Sequence, residues 1–168
     1  WYQRRVRGMF QVVTFQINQT VVFHCAQRQI GKPYQPNAAG PNTFDSLGLI
    51  KYCLRTTGIN IKTNLQNVIK YCESNYSTFT VNNSNDVTIV AKTWDKGSSG
   101  DIICHAQSRF IDNQWQMVYD SVGIMTGTVY NEIYIGYISA SIIQRQVREL
   151  RGDLRGSNTY KVFKYFRN

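Results

Sequence analysis

Acidic side chains are scarce in this sequence: ten Asp and Glu stand against nineteen Lys and Arg in 168 residues, a formal net charge of +9. Proline occurs only three times and charged residues make up 17%, while 42% of the chain is hydrophobic, so a disordered or low-complexity tail is excluded. No apolar run approaches the ~18 residues of a membrane-spanning helix, and no signal-peptide pattern opens the chain. It starts at Trp1, as expected of a processed or excised piece from which any targeting signal would already be gone. No heptad pattern supports a coiled coil. The P-loop, the dinucleotide fingerprint, the serine-hydrolase elbow and H-E-x-x-H are all missing. The four cysteines, Cys25, Cys53, Cys72 and Cys104, show no C-x-x-C and no Cys/His zinc spacing. Neither a metal nor a cofactor is therefore expected. Four reduced thiols in a cytosolic chain and two bridges in a secreted one fit that count equally well.

The positive charge is unevenly placed. Residues 1–36 carry five basic side chains and no acid, and residues 141–168 carry seven basic and two acidic ones. The stretch between them is close to neutral. Such a field favours an acidic protein surface or an anionic polymer. Nucleic acid fits the charge too, but no specific nucleic-acid motif is present.

The length fits one domain, with residues 1–19 as a basic N-terminal extension and 20–168 as the domain. Residues 9–17 read as an extended or amphipathic opening segment. Thr20 is expected to cap a helix ending at Gly31, and 34–43 to form a surface loop. Leu49, Ile50, Cys53 and Leu54 recur at helical spacing up to Gly58, and 64–73 reads as a further short helix. The period then changes to two. Strands are expected in 78–91, in a hairpin turning at Asp112-Asn113, in NEIYIGYIS and in the closing YKVFKYF. A basic helix is expected over 141–152, with Arg145, Arg148, Arg151 and Arg155 within about 120° of one another at ~100° per residue. Helices first and an antiparallel sheet after them make an α+β fold.

Three segments, in this order, resemble the NlpC-type papain-like cell-wall endopeptidases. Gly31-Lys32-Pro33-Tyr34 is similar to that family's G-x-P-Y, and Phe44-Asp45-Ser46-Leu47-Gly48-Leu49 to its F-D-C-S-G-L nucleophile helix. Gly100-Asp101-Ile102-Ile103 with Ser121-Val122-Gly123-Ile124 is similar to its G-D-L-V and H-V-G-I strands. The resemblance covers roughly residues 20–167. It implies a papain-like fold with N-terminal helices on an antiparallel sheet, a secreted or cell-envelope location, and a groove lined by Tyr34, Asp45 and Ser46 that would take a peptidoglycan-like peptide. A cytoplasmic location is implied instead if the domain has been repurposed as an assembly component.

The departures fall at the chemistry. The family's nucleophilic Cys aligns with Ser46 and its catalytic His with Ser121, and the third polar residue falls near Tyr134 to Tyr137. A serine hydroxyl is much harder to ionise than a thiol and needs a base within hydrogen-bond reach, which Ser121 cannot supply. Ser46 at a helix start reads as an N-cap. A substitute base would have to come from His105 or a new nucleophile from Cys104. If the hairpin turns at Asp112-Asn113, paired positions sum to about 225, setting Cys104 opposite Ser121 and His105 opposite Asp120. A slip of one residue exchanges them. The sequence thus points to a catalytically degenerate binding or structural module. The alternatives are a divergent endopeptidase or amidase with a rebuilt or engineered-out site, and a component of a larger assembly that uses its basic ends.

Overall fold

The computed structural model of the chain describes residues 18–61, 64, 67, 77–81, 98–131, 133–153 and 159–164. The expected opening segment 9–17, almost all of the helix at 64–73, the strand residues beyond Val81 and nearly all of the basic extension lie outside these.

The first helix, α1, covers residues 18–29. Gln19, Val22, Cys25, Ala26 and Gln29 are its buried positions, a single stripe at spacings of three and four. Thr20 therefore sits inside the helix and does not cap it. Gly31 at φ +93° follows its end, a conformation that costs glycine nothing. The second helix, α2, spans Ser46–Arg55 and buries Gly48, Leu49, Ile50, Cys53 and Leu54, the apolar positions read from the sequence. Thr56 and Thr57 donate their hydroxyls to the carbonyls of Cys53 and Leu54, and Gly58 at φ +86° closes the end as expected. A disulfide joins Cys25 of α1 to Cys53 of α2.

The strands are β1 (Ser77–Val81), β2 (Ile102–Ile111), β3 (Gln114–Tyr130), β4 (Tyr134–Ser141), β5 (Gln146–Asp153) and β6 (Thr159–Lys164). They form one antiparallel sheet in the order β1-β6-β2-β3-β4-β5. Alternation gives the sheet two apolar faces. Ile102, Cys104, Val122, Ile124, Ile138, Ala140 and Val147 pack with α1 and α2 in one cluster. Ile103, Met125, Ile135, Tyr160 and Val162 form a second cluster on the other face. Burying each such aliphatic side chain contributes about 1.5–3 kcal/mol, so it is the first of these faces, more than helix propensity, that holds the two short helices.

The β2–β3 hairpin turns at Asp112-Asn113, both at positive φ (52° and 61°), the mirror-image turn whose twist matches the strands. The basic helix expected over 141–152 does not form. Residues 142–145 make a turn, and Gln146–Asp153 pairs residue by residue with β4. The outer edge of β5 is occupied as well: Gly31 N donates to Val147 O, Val147 N to Lys32 O and Tyr34 N to Arg145 O. A helix would forfeit all of these bonds, and that outweighs the helical preference of a Gln/Arg/Glu/Leu-rich segment.

Candidate functional site

Gly31 to Tyr34 lies beside the start of β5, whereas Gly100-Asp101 precedes β2 and is bonded to the N-terminal part of α1. From Tyr34 the chain loops through a cis Gly40–Pro41 bond to Phe44, which is fully buried with Tyr52 edge-on at 5.3 Å. Lys32 Nζ ties this loop to α1, donating to Gln29 Oε1 (2.6 Å) and to Pro41 O (2.7 Å).

Asp45 caps α2, in place of the expected Ser46. Its backbone is extended (φ −96°, ψ 177°), and its Oδ1 accepts from Gly48 N at 2.6 Å. Oδ2 accepts from Asn37 N at 2.9 Å, and Asp45 N donates to Ala38 O at 2.8 Å. A carboxylate can hold the helix and the loop at once because it has two acceptor oxygens; a single hydroxyl would be less able to. Ser46 is left as the first helical residue, half-buried. Gly48 is required by the same contact: a Cβ there would stand 1.9 Å from Ala38 O.

The Gly100-Asp101 pair is structural too. Asp101 is 2% exposed; its Oδ1 accepts from Gln19 Nε2 (2.7 Å) and its Oδ2 from Ser98 N (2.9 Å), joining α1 to the turn before β2. Gly100, at φ +85°, has Gln19 O where a Cβ would stand 2.3 Å away. Gly123 admits the Tyr137 ring, whose nearest atom would be 2.5 Å from a Cβ.

The hairpin register changes at a bulge between His105 and Ala106. Ala106 pairs with Tyr119 and Ile111 with Gln114, the expected sum, whereas His105 pairs with Ser121 and Cys104 with Val122. The extra residue is Asp120. The expected partners of Ser121 are thereby exchanged. Cys104 is 1% exposed in the helix-side core. The His105 ring lies 5.2 Å from that of Tyr160, a member of the second cluster. Directly paired residues share a face, so Ser121 and His105 sit on the face remote from α2, while Val122 and Ile124 meet the helix. Tyr137, in the stretch that aligns with the family's third polar residue, packs against that second cluster as well.

A cavity of about 570 Å³ opens where the 37–39 loop meets α2, lined by Asn37, Ala38, Ala39, Asp45, Leu47, Gly48, Lys51 and Asn64. Of the expected groove it takes in Asp45, but not Ser46 or Tyr34, which is half-buried against the core. Leu47 and Gly48 share a helix face with Lys51 at spacings of four and three, but only the loop placed over them makes that face a cavity wall.

The expected arginine stripe is dispersed by the strand geometry. Arg145 is in the turn before β5, Arg148 and Arg151 fall on opposite faces of β5, and Arg155 lies outside the described residues. Arg151 stacks on Tyr130 (3.8 Å from its guanidinium carbon to the ring centroid). Tyr130 Oη donates to Glu149 Oε1 at 2.6 Å. That bond to the carboxylate, above all, raises the Tyr130 pKa, with Arg151 opposing it.

No protein-family model matches the sequence, and no curated protein does. Solved structures do. NlpC2 from Trichomonas vaginalis superposes with a TM-score of 0.53 and 18% identity over 82% of this chain, which spans 41% of NlpC2. The NlpC/p60 domain of the peptidoglycan hydrolase SagA superposes at 0.52 with 19% identity, over 86% of this chain and 97% of that domain. No helix among the described residues is long and apolar enough to cross a membrane. The α+β arrangement of the described residues, helices on an antiparallel sheet, matches these NlpC/p60 structures, and the chain has the NlpC/p60 fold.

Proposed function

We propose that this domain is a catalytically degenerate NlpC-type module that binds its target without cleaving it. The observation that carries the reading is a division of labour among the motif residues. Gly31, Asp45, Gly48, Gly100, Asp101 and Gly123 are kept, and each is used in a turn, a buried hydrogen bond or a close approach. The two positions that the resemblance matches to the nucleophile and the base hold Ser46 and Ser121, and Ser121, like His105, lies on the sheet face remote from α2. Selection on folding alone would keep the first set and release the second.

The enzyme alternative needs His105 to act on Ser46. Against it, His105 shares its face with Tyr160 and Ser121, and α2 is packed on the other face of the sheet. A general base must come within hydrogen-bond reach of the proton it removes.

The cavity beside Asp45 and Lys51 is the binding surface in this reading, and a peptidoglycan-like stem peptide is its ligand by likeness to the SagA domain. An anionic polymer suits a chain of net charge +9, and a disulfide between Cys25 and Cys53 suits an oxidising, secreted or envelope compartment. Insoluble peptidoglycan should pull the chain down intact, and soluble stem peptides should compete. Lys51→Glu should weaken retention by about tenfold, the ~1.4 kcal/mol of one charge-assisted contact. Retention indifferent to both stem peptide and Lys51→Glu would move the binding surface elsewhere.

A further inference from the structure

Large hydrophobic side chains are exposed at six positions among the described residues, and five of them gather at one end of the sheet. Phe110 (59% exposed), Ile111 (38%) and Trp115 (73%) flank the β2–β3 turn. Ile142 (68%) and Ile143 (87%) form the β4–β5 turn. β2 and β4 run in the same direction, so both turns face the same way.

The β2–β3 ribbon projects beyond its neighbours. β6 pairs with β2 only as far as Ala106, and β4 pairs with β3 from Ile124 onward, so no described strand flanks 107–118. From Gln107 to the turn the ribbon extends by roughly 17 Å at ~3.3 Å per residue. Near its tip Phe110 and Trp115 are directly paired, with ring centroids 5.5 Å apart. Arg109, Arg145 and Arg148 are exposed at the same end, where Asp112 is the acid of the turn.

We propose that the projecting tip of this ribbon docks on an anionic lipid bilayer, seating the Phe110–Trp115 pair at headgroup level with Ile142–Ile143 set back on the same side. Trp and Phe have an amphipathic or apolar body suited to that layer, and arginine beside them reaches the lipid phosphates. Insertion stays shallow for a physical reason. The outward N–H and C=O groups of the ribbon edges need water, which the hydrocarbon core would deny them. A second copy of the chain is the poorer occupant. A stable dimer buries about 1,200–2,000 Å² through some 20–30 residues a side, more than five side chains on two turns provide. Two chains of +9 also repel.

Flotation of the full chain with vesicles of equal parts phosphatidylglycerol and phosphatidylcholine tests this, with pure phosphatidylcholine alongside. Binding to the anionic vesicles alone is expected, falling at least tenfold in the double variant Phe110→Ser, Trp115→Ser. Arg109→Gln, beside the tip pair, should cost about fivefold, as an arginine near an anionic surface does. A second reading needs no change at the tip. With Trp1→Phe and Trp94→Phe, Trp115 is the one tryptophan left and should be quenched by lipids brominated near the headgroup. Failure to float with anionic vesicles, flotation unaltered by the tip variant, or unquenched Trp115 would overturn the proposal. So would a dimer in sedimentation that the tip variant abolishes, which would give the surface to a second copy.

Discussion

Replacing both Cys25 and Cys53 by serine is expected to lower the unfolding free energy by about 3–4 kcal/mol. The bridge closes a sequence separation of 28 residues and ties α1 to α2 with Cα atoms 5.6 Å apart. Cutting it returns loop entropy to the unfolded chain, to an extent that grows slowly with loop length. Both sulfurs are buried, at 1% and 0% exposure, so serine hydroxyls would also have to find partners there. Set against a typical stability of about 5–15 kcal/mol, this is a large fraction. Urea unfolding of the variant, and of the parent chain in reductant, should show the same drop in midpoint. An unchanged midpoint in both would mean that the helices are held by their apolar faces alone.

Gly48→Ala should destabilise by about 3 kcal/mol, at the top of the range for overpacking a well-filled site. The atom in the way is Ala38 O, whose loop is already fixed by Asn37 N and Asp45 N. A flexible side chain could swing aside; this carbonyl can move only if the cap of α2 opens with it. Gly58→Ala is the comparison. Nothing lies within 4 Å of its added Cβ, so only left-handed backbone strain, about 1–2 kcal/mol, should appear. Thermal melts of the two variants should rank in that order. Equal melts would show that the 37–39 loop gives way freely and does not shape the cavity.

What was legible in the sequence was whatever local chemistry decides. The apolar spacing of Leu49, Ile50, Cys53 and Leu54 placed α2, Gly31 and Gly58 marked the helix ends, and Asp112-Asn113 marked the hairpin. The rest depended on partners distant in sequence. Residues 146–153 carry helix-favouring side chains, and only β4 on one side with Gly31 to Tyr34 on the other makes them a strand. Asp45 and Ser46 are both good caps, and the deciding factor is Asn37 N, eight residues upstream, which takes the second carboxylate oxygen. The register around Ser121 turned on a single bulged residue, which no alternating pattern announces. The cavity at Lys51 and Asn64 comes from a loop folding back on a helix, so neither residue stands out in the sequence.

The most direct test of the central claim is a turnover measurement on the chain as it stands. Incubated with peptidoglycan stem peptides, it should release no cleaved product, and Ser46→Ala should be indistinguishable from the parent, because nucleophile and base act as one unit and, in the proposed reading, Ser46 has neither a thiol nor a base in reach. Ser46→Cys alone should stay silent for the same reason. Cleavage by the parent chain, abolished by either Ser46→Ala or His105→Ala, would contradict the account and make this domain an enzyme with a rebuilt site.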